Sequence, residues 1–452
     1  MKKKLTVQEY VVVASMLFGL FFGAGNLIFP VHMGQMAGSQ LVPATLGFLI
    51  TGVGLPLLSV AALGISKSEG LFDLSRKVSR PYAYFFTCLL YLTIGPFFAI
   101  PRCATTAFTV GIEQAVPQAA EQLRLWLLVF SAVFFAAALL FSLFPGKILT
   151  WVGKILNPFF LLFLGILIVV ALVKPSAAIS AVAPEGAYAS QAFSTGFLEG
   201  YNTMDVLAGL AFGIIVVQVI RELGVTDADA VASSTVKAGV FSSLLMALIY
   251  LAVTVVGAQS RGLFETSENG GIALAQIARH YLGSAGLVIL AATVTLACLK
   301  TSVGLITSCA ETFCGMFPKG PGYRAWAVLF TLISFALSNF GLSTIISYSV
   351  PVLMFLYPLA IALVLLALFG RFYRHDRAVY ISVIVCTLLA ALYDLICALP
   401  EGLYDALHAD AIQAFGLRVL PFAGAGLGWI CPLALGFVIG LAVHLMQKFR
   451  TK

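Results

Sequence analysis

The chain has 452 residues, 61% of them hydrophobic and 10% charged, with 26 Lys and Arg against 19 Asp and Glu. A soluble domain carries about 45–50% apolar and about 25% charged residues, so water is not the main solvent here. The net charge of +7 comes from short separate stretches with no basic stripe interleaved with aromatics, which excludes a nucleic-acid binder; the single, scattered Cys and His residues exclude the usual zinc and redox signatures.

About 20 apolar residues cross a bilayer as a helix, and on that rule about twelve spans follow one another along the chain. They fall near 8–36, 41–63, 80–111, 124–143, 149–173, 192–219, 233–258, 283–315, 323–340, 342–370, 378–398 and 419–447. Met1 to Lys4 before an apolar run has the outline of a signal peptide, but the run passes Phe29 without a small-residue cleavage site and reads as the first span. Continuous apolar runs exclude a lipid-embedded β-barrel, whose segments alternate. The expected fold is an all-α polytopic membrane protein, one transmembrane domain over 1–452.

The basic residues set the orientation. With the N-terminus inside, cytoplasmic loops collect clusters such as Arg76, Lys77 and Arg80, or Arg371, Arg374 and Arg377. Outside fall only Arg124, Lys174, Arg261, Arg279 and Arg418. Positive residues favour the cytoplasmic side, so the reading is a multi-pass protein of the cell (inner) membrane, both termini cytoplasmic. The longer external segments near 174–192, 259–282 and 399–418 are candidate caps.

In the first span, Gly19, Gly23, Gly25 and Asn26 weaken the helix near mid-bilayer. Backbone freed there must be buried in protein or line a wet cavity. GxxxG spacing of Gly19 and Gly23 also fits plain helix packing. The sixth span holds Glu199-Gly200-Tyr201-Asn202-Thr203-Met204-Asp205 between apolar halves. A carboxylate at the bilayer centre costs about 2.5–3.5 kcal/mol on insertion scales, so Glu199 and Asp205 are expected to face the bundle interior. Two interrupted spans in corresponding positions are the sequence mark of a transporter's midplane site. Freed helix N-termini suit a carboxylate, and exposed carbonyls suit an amine or a hard cation, so a zwitterionic amino acid fits both.

Arg102 and Lys300 are further charges inside spans. Interior ion pairing is the ordinary reading of Arg102, Asp394 and Glu311. Pro351 and Pro358 should kink or loosen the tenth span.

The segments Gly23 to Pro30, Gly95-Pro96 with Pro101-Arg102, Glu199-Gly200-Tyr201 with Thr203-Met204-Asp205, and Leu296 to Ala310 together resemble the branched-chain amino acid:cation symporters of the amino acid-polyamine-organocation superfamily. The resemblance runs over nearly the whole chain. It implies a leucine-transporter-like fold of five plus five inverted helices (1–173 and 192–370) with two more helices (378–447). It also implies import of leucine, isoleucine and valine by alternating access, with no enzymatic step and no cofactor beyond a coupling ion, the partners being the substrate and the lipid bilayer.

By that resemblance the substrate carboxylate would meet N–H groups around Ala24, Gly25 and Asn26. The ammonium would meet carbonyls around Phe21 and Gly200, Tyr201 and Asn202, with Thr203 beside them and Tyr91 or its neighbours shaping an apolar pocket. Sodium would sit between carbonyls of Gly19 and Phe22 and the hydroxyls of Thr301 and Ser302; those hydroxyls also suit bonds back to carbonyls one turn earlier. Lys300 opens two readings. Pointing into the ion site, it would make transport proton-linked or uncoupled; pointing away, it leaves sodium coupling intact. Glu199, Asp205, Lys300 and Arg102 are the candidates for coupling or gating. The competing functions are a sodium-independent carrier of another zwitterion, a membrane-embedded enzyme using Glu199, Asp205 and Lys300, and a passive channel.

Overall fold

The structure is a computed structural model that describes residues 4–23, 25–66, 68, 70–113, 116, 119–143 and 157–450. Among the described residues every regular element is helical and none is a strand, as expected where hydrocarbon offers the backbone no other partner. Helix α1 (Val7–Phe21) opens on a capping box, in which the Thr6 N–H donates to Glu9 Oε2 at 2.8 Å and the Glu9 N–H donates to the Thr6 hydroxyl. It stops at Phe21, where the glycine-rich stretch begins, and α2 (Gly25–Ala37) completes the first span.

The second span is α3 (Leu41–Leu49) and α4 (Leu55–Ile65), joined through a wide π turn at Ile50–Gly54. After the short α5 (Leu71–Arg76), the third span divides into α6 (Arg80–Leu92) and α7 (Ala99–Gly111). Gly95 leaves helical geometry between them, at φ −94° and ψ −123°, beside Pro96, which has no N–H to donate. Then come α8 (Ala120–Ser142) and α9 (Asn157–Val173). The sixth span is α10 (Tyr188–Glu199), a 3-10 turn at Gly200–Thr203, and α11 (Asp205–Glu222).

Helix α12 (Ala228–Ser260) precedes α13 (Gly270–Met316), which bends at Gly283 with φ 66°. The chain continues through α14 (Tyr323–Ser338), α15 (Leu342–Phe369) and α16 (Arg377–Cys397). It ends with two short helices, α17 (Glu401–Ala406) and α18 (Asp410–Val419), and α19 (Ile430–Arg450).

Each expected span thus has a helix or a broken pair of helices as its counterpart. Among the described residues, eight helical stretches are long and apolar enough to cross a membrane, and Val7–Phe21, Leu161–Val173 and Tyr323–Ser338 are shorter apolar helices. The twelfth span differs from the expected 419–447: it begins at Ile430. Phe422 and Gly426 take positive φ in the preceding segment, and a chain at those angles cannot continue as a right-handed helix. Of the segments expected to lie outside, 259–282 carries a helical arm from Gly270 up to the bend at Gly283, and 399–418 carries α17 and most of α18. The proposed start of the fifth span at 149–156 lies outside the described residues.

Two seams of small residues set how closely the central helices approach. A methyl group at Gly34 of α2 would lie 2.1 Å from the Thr254 carbonyl oxygen of α12, and one at Gly257 would lie 2.2 Å from that of Val31. Gly47 of α3 and Gly196 of α10 repeat this, at 2.1 Å from the Phe193 oxygen and 2.0 Å from the Ala44 oxygen. Backbones in such contact pack by van der Waals attraction, the term that remains between helices in lipid.

Candidate functional site

The two broken spans face each other across a small cavity. At the first break the Gly23 N–H, released from helical bonding, donates to Asn26 Oδ1 at 2.8 Å. Asn26 then turns its amide nitrogen outward, donating to Asp205 Oδ2 at 2.7 Å and to the Tyr250 hydroxyl. The Tyr250 hydroxyl donates to the same Asp205 oxygen at 3.0 Å. Asp205, 1% exposed, is therefore held by one group from the first span and one from the seventh.

At the second break the chain passes through Met204 at φ 61°, a left-handed conformation that non-glycine residues adopt rarely. The Thr203 hydroxyl donates to the Gly200 carbonyl at 2.9 Å and accepts from the Asp205 N–H at 3.4 Å. The Asn202 side chain donates to Glu199 Oε2 at 3.2 Å. The Thr51 hydroxyl, in the π turn of the second span, donates to the Phe197 carbonyl at 2.7 Å, and the Tyr201 ring stacks on Tyr357 with centroids 4.0 Å apart.

Arg102 joins the breaks. The irregular turn at Gly95-Pro96 lets α7 start afresh at Ala99, one turn before it. Its Nη1 donates to the Asn202 carbonyl at 2.7 Å, and its guanidinium carbon lies 5.1 Å from the centroid of the Phe29 ring on α2. The residue is 4% exposed. A buried guanidinium needs such a carbonyl and such a ring face to offset its lost hydration.

The cavity has a volume of about 40 Å³, room for a few waters at about 10–15 Å³ each. Charged and polar groups on its wall are Arg102, Asp205, Asn26, Thr203 and Thr301, and Phe21, Ile94, Ala99, Phe212 and Leu305 supply apolar surface. Its chemistry offers a buried cation, a buried anion and an apolar wall within one small space, which is the complement of a zwitterion with a hydrocarbon side chain.

Of the residues singled out from the sequence, Phe21, Gly25, Asn26, Thr203, Asp205, Arg102 and Thr301 line this cavity. Gly200, Tyr201, Asn202 and Glu199 form the turn behind it, and Ala24 lies outside the described residues. Tyr91 is not on the cavity wall: it is buried with its hydroxyl donating to the Ala211 carbonyl at 3.1 Å. Gly19 and Phe22 are buried at the end of α1. Thr301 packs on Gly23, its Oγ1 3.5 Å from where a Cβ would stand, while donating to the Ala297 carbonyl at 3.1 Å. The Ser302 hydroxyl is buried with no hydrogen-bond partner among the described residues. Lys300 is not among the cavity-lining residues.

Sequence reasoning passed over Tyr250, Ile94, Phe212 and Leu305. Each is one apolar or aromatic side chain among many in its span, and only the crossing of helices brings it to the site.

Away from the cavity, a polar network ties α2 to the segment after α12. Gln35 donates to the Ser260 hydroxyl at 3.1 Å and accepts from the Ser267 N–H at 3.2 Å. His32 Nε2 pairs with the Ser267 carbonyl at 3.0 Å, and Glu185 Oε1 accepts from Arg261 and Thr266, both at 2.6 Å.

The chain as a whole is similar to known proteins. Residues 6–447 match the family model described as "Branched-chain amino acid transport protein". The chain is 53% identical to the branched-chain amino acid permease BrnQ of Lactobacillus delbrueckii subsp. lactis, over 100% of both chains. It is 39% identical to the protein of that name from Bacillus subtilis, over 100% of both, and 37% identical to that of Escherichia coli K12, over 98% of this chain and 97% of the relative. Among solved structures it is similar to Mhp1, a nucleobase-cation-symport-1 family transporter, in a closed conformation with bromovinylhydantoin bound. The TM-score is 0.57 at 16% identity, covering 98% of this chain and 93% of that one. An inward-facing form of Mhp1 matches with a TM-score of 0.56 at 14% identity, covering 97% and 90%. At those identities the likeness concerns the fold, and the fold expected from the sequence is the one observed.

Proposed function

The chain belongs to the branched-chain amino acid transport protein family, a family of carriers rather than enzymes, and from that membership we propose that it imports leucine, isoleucine and valine by cation symport. The observation that carries the reading is the convergence of both broken spans, Arg102 and Asp205 on one cavity with an apolar wall. Alternating access follows from a site at the joint of two broken helices, because rocking one group of helices against the other exposes it to each side in turn. The first ten spans act as two inverted repeats of five, 1–173 and 192–370, with 378–447 appended and both termini cytoplasmic.

The coupling ion is sodium, held by carbonyls of Gly19 and Phe22 with the hydroxyls of Thr301 and Ser302. Supporting this are the packing of Thr301 on Gly23 and the buried Ser302 hydroxyl, which has no partner among the described residues. Oxygen ligands of this kind suit a hard cation. The membrane potential adds about 2.3 kcal/mol per charge per 100 mV to uptake.

The test is uptake of labelled leucine into proteoliposomes under a sodium gradient, a proton gradient or neither. Saturable uptake that needs sodium and is competed by isoleucine and valine is the expected result. Uptake driven by the proton gradient alone sinks sodium coupling, and uptake that never saturates sinks the carrier reading.

A further inference from the structure

We propose that Arg102 is the substrate's carboxylate receptor, acting together with the N-terminus of α2. This rests on the amino acid carrier reading and adds to it a side chain that discriminates among ligands. A guanidinium has five N–H donors in a rigid fork. Among the described residues the Arg102 guanidinium makes one hydrogen bond, through Nη1 to the Asn202 carbonyl at 2.7 Å. The residue is nonetheless 4% exposed and lines the cavity. Its remaining donors are thus withdrawn from bulk water beside a space that an anion can enter.

The second nitrogen shows where that anion docks. A Cβ built on Gly25 would stand 2.9 Å from Arg102 Nη2, so the guanidinium lies against the first residue of the 13-residue α2. The leading N–H groups of a helix have no intrahelical partner and carry the positive end of its dipole. A carboxylate set there receives α2 N–H groups on one side and Nη2 on the other. Any residue but glycine at position 25 would push the guanidinium aside. Phe29 backs the guanidinium plane, and Nη1 stays anchored on Asn202, so the fork is held ready before the ligand arrives. Asp205 is the other charge on the cavity wall and is left to face the ammonium.

A strut between the two broken helices is the simpler role for Arg102, and the two roles predict different ligand dependence. The experiment measures binding to the purified full-length protein, with leucine, leucinamide (no carboxylate) and 4-methylpentanoate (no ammonium) as competitors, and thermal melting as the control for folding. The wild-type protein should bind leucinamide about 100-fold more weakly than leucine, as expected for loss of a charge-assisted contact. In Arg102→Gln, leucine should weaken about 100-fold while leucinamide changes less than about threefold. Arg102→Lys should fall between, since an ammonium restores the charge without the fork.

Equal weakening of leucine and leucinamide in Arg102→Gln, with their ratio preserved, overturns the proposal in favour of the strut. Leucinamide binding as tightly as leucine to the wild-type protein overturns it even if the variant fails to fold. A wild-type requirement for chloride, with the leucine to leucinamide ratio unchanged in Arg102→Gln, assigns the guanidinium to that ion and also overturns it. If the wild-type protein takes up no leucine at all, it is the carrier reading that fails.

Discussion

At the first break the free Gly23 N–H is taken by Asn26 Oδ1 at 2.8 Å, a side chain three residues along the same strand of chain. At the second, the chain turns through Met204 at φ 61° and is held by groups from elsewhere: Thr51 on Phe197, Arg102 on Asn202, and Tyr357 against Tyr201. The first break is made by glycines and a local amide. The second places a long side chain in left-handed geometry, which costs of order 1–2 kcal/mol and persists only where the surroundings impose it. A transporter built this way has one joint that is locally self-sufficient and one whose shape depends on three other spans. Asn26 and Asp205 connect them.

Cutting that connection is the largest test. Asp205→Ala leaves the Asn26 amide and the Tyr250 hydroxyl without their shared acceptor, and initial leucine uptake in proteoliposomes should fall at least about 100-fold at equal protein content. Uptake within threefold of wild type would show that the two joints do not work as one. Next is Met204→Val, which puts a β-branched residue in the left-handed region and should destabilise by about 2 kcal/mol in a detergent melting assay. Unchanged melting would mean the second break is not strained at all.

Tyr250→Phe removes one of the two donors to Asp205 and leaves Asn26 in place. Its expected effect is about 1 kcal/mol, or about fivefold in leucine affinity, with melting little changed. The smallest effect belongs to Asp376, far from both breaks, whose carboxyl is held below its usual range first by the hydrogen bond with His444 at 2.5 Å. A lowered carboxyl pKa contributes stability that is complete above the unfolded value near about 3.9 and is lost as the pH falls through the lower folded value. Asp376→Asn should therefore lower stability near neutral pH slightly, flatten that acid limb and leave uptake unaltered. A loss of uptake would tie this contact at the start of α16 to the cavity.

Both breaks were legible because glycine, asparagine and carboxylates in an apolar span violate what hydrocarbon tolerates. Arg102 was visible for the same reason, but its partner was not: a backbone carbonyl such as that of Asn202 has no signature in the sequence. Tyr250 was illegible for the opposite reason, since a tyrosine among apolar residues looks ordinary until a crossing helix brings Asp205 to its hydroxyl. Tyr91, chosen as a pocket residue from the family likeness, spends its hydroxyl on Ala211 instead, and Ile94, one turn on, lines the cavity. The late start of the last span at Ile430 escaped because hydropathy counts apolar residues without seeing the positive φ of Phe422 and Gly426.

The paired glycine seams have a mechanical consequence. Where Gly34 meets Thr254 and Gly257 meets Val31, and again where Gly47 meets Phe193 and Gly196 meets Ala44, backbone rests directly on backbone with no side chain to act as a bearing. Helix α2 is thereby splinted to α12, and α3 to α10, each pair a stiff plank. Bending is left to the places where the splints end, at the glycine-rich turn after Phe21 and at Met204. The cavity lies at the meeting of those two joints, so a small rotation of either plank is levered directly onto its walls.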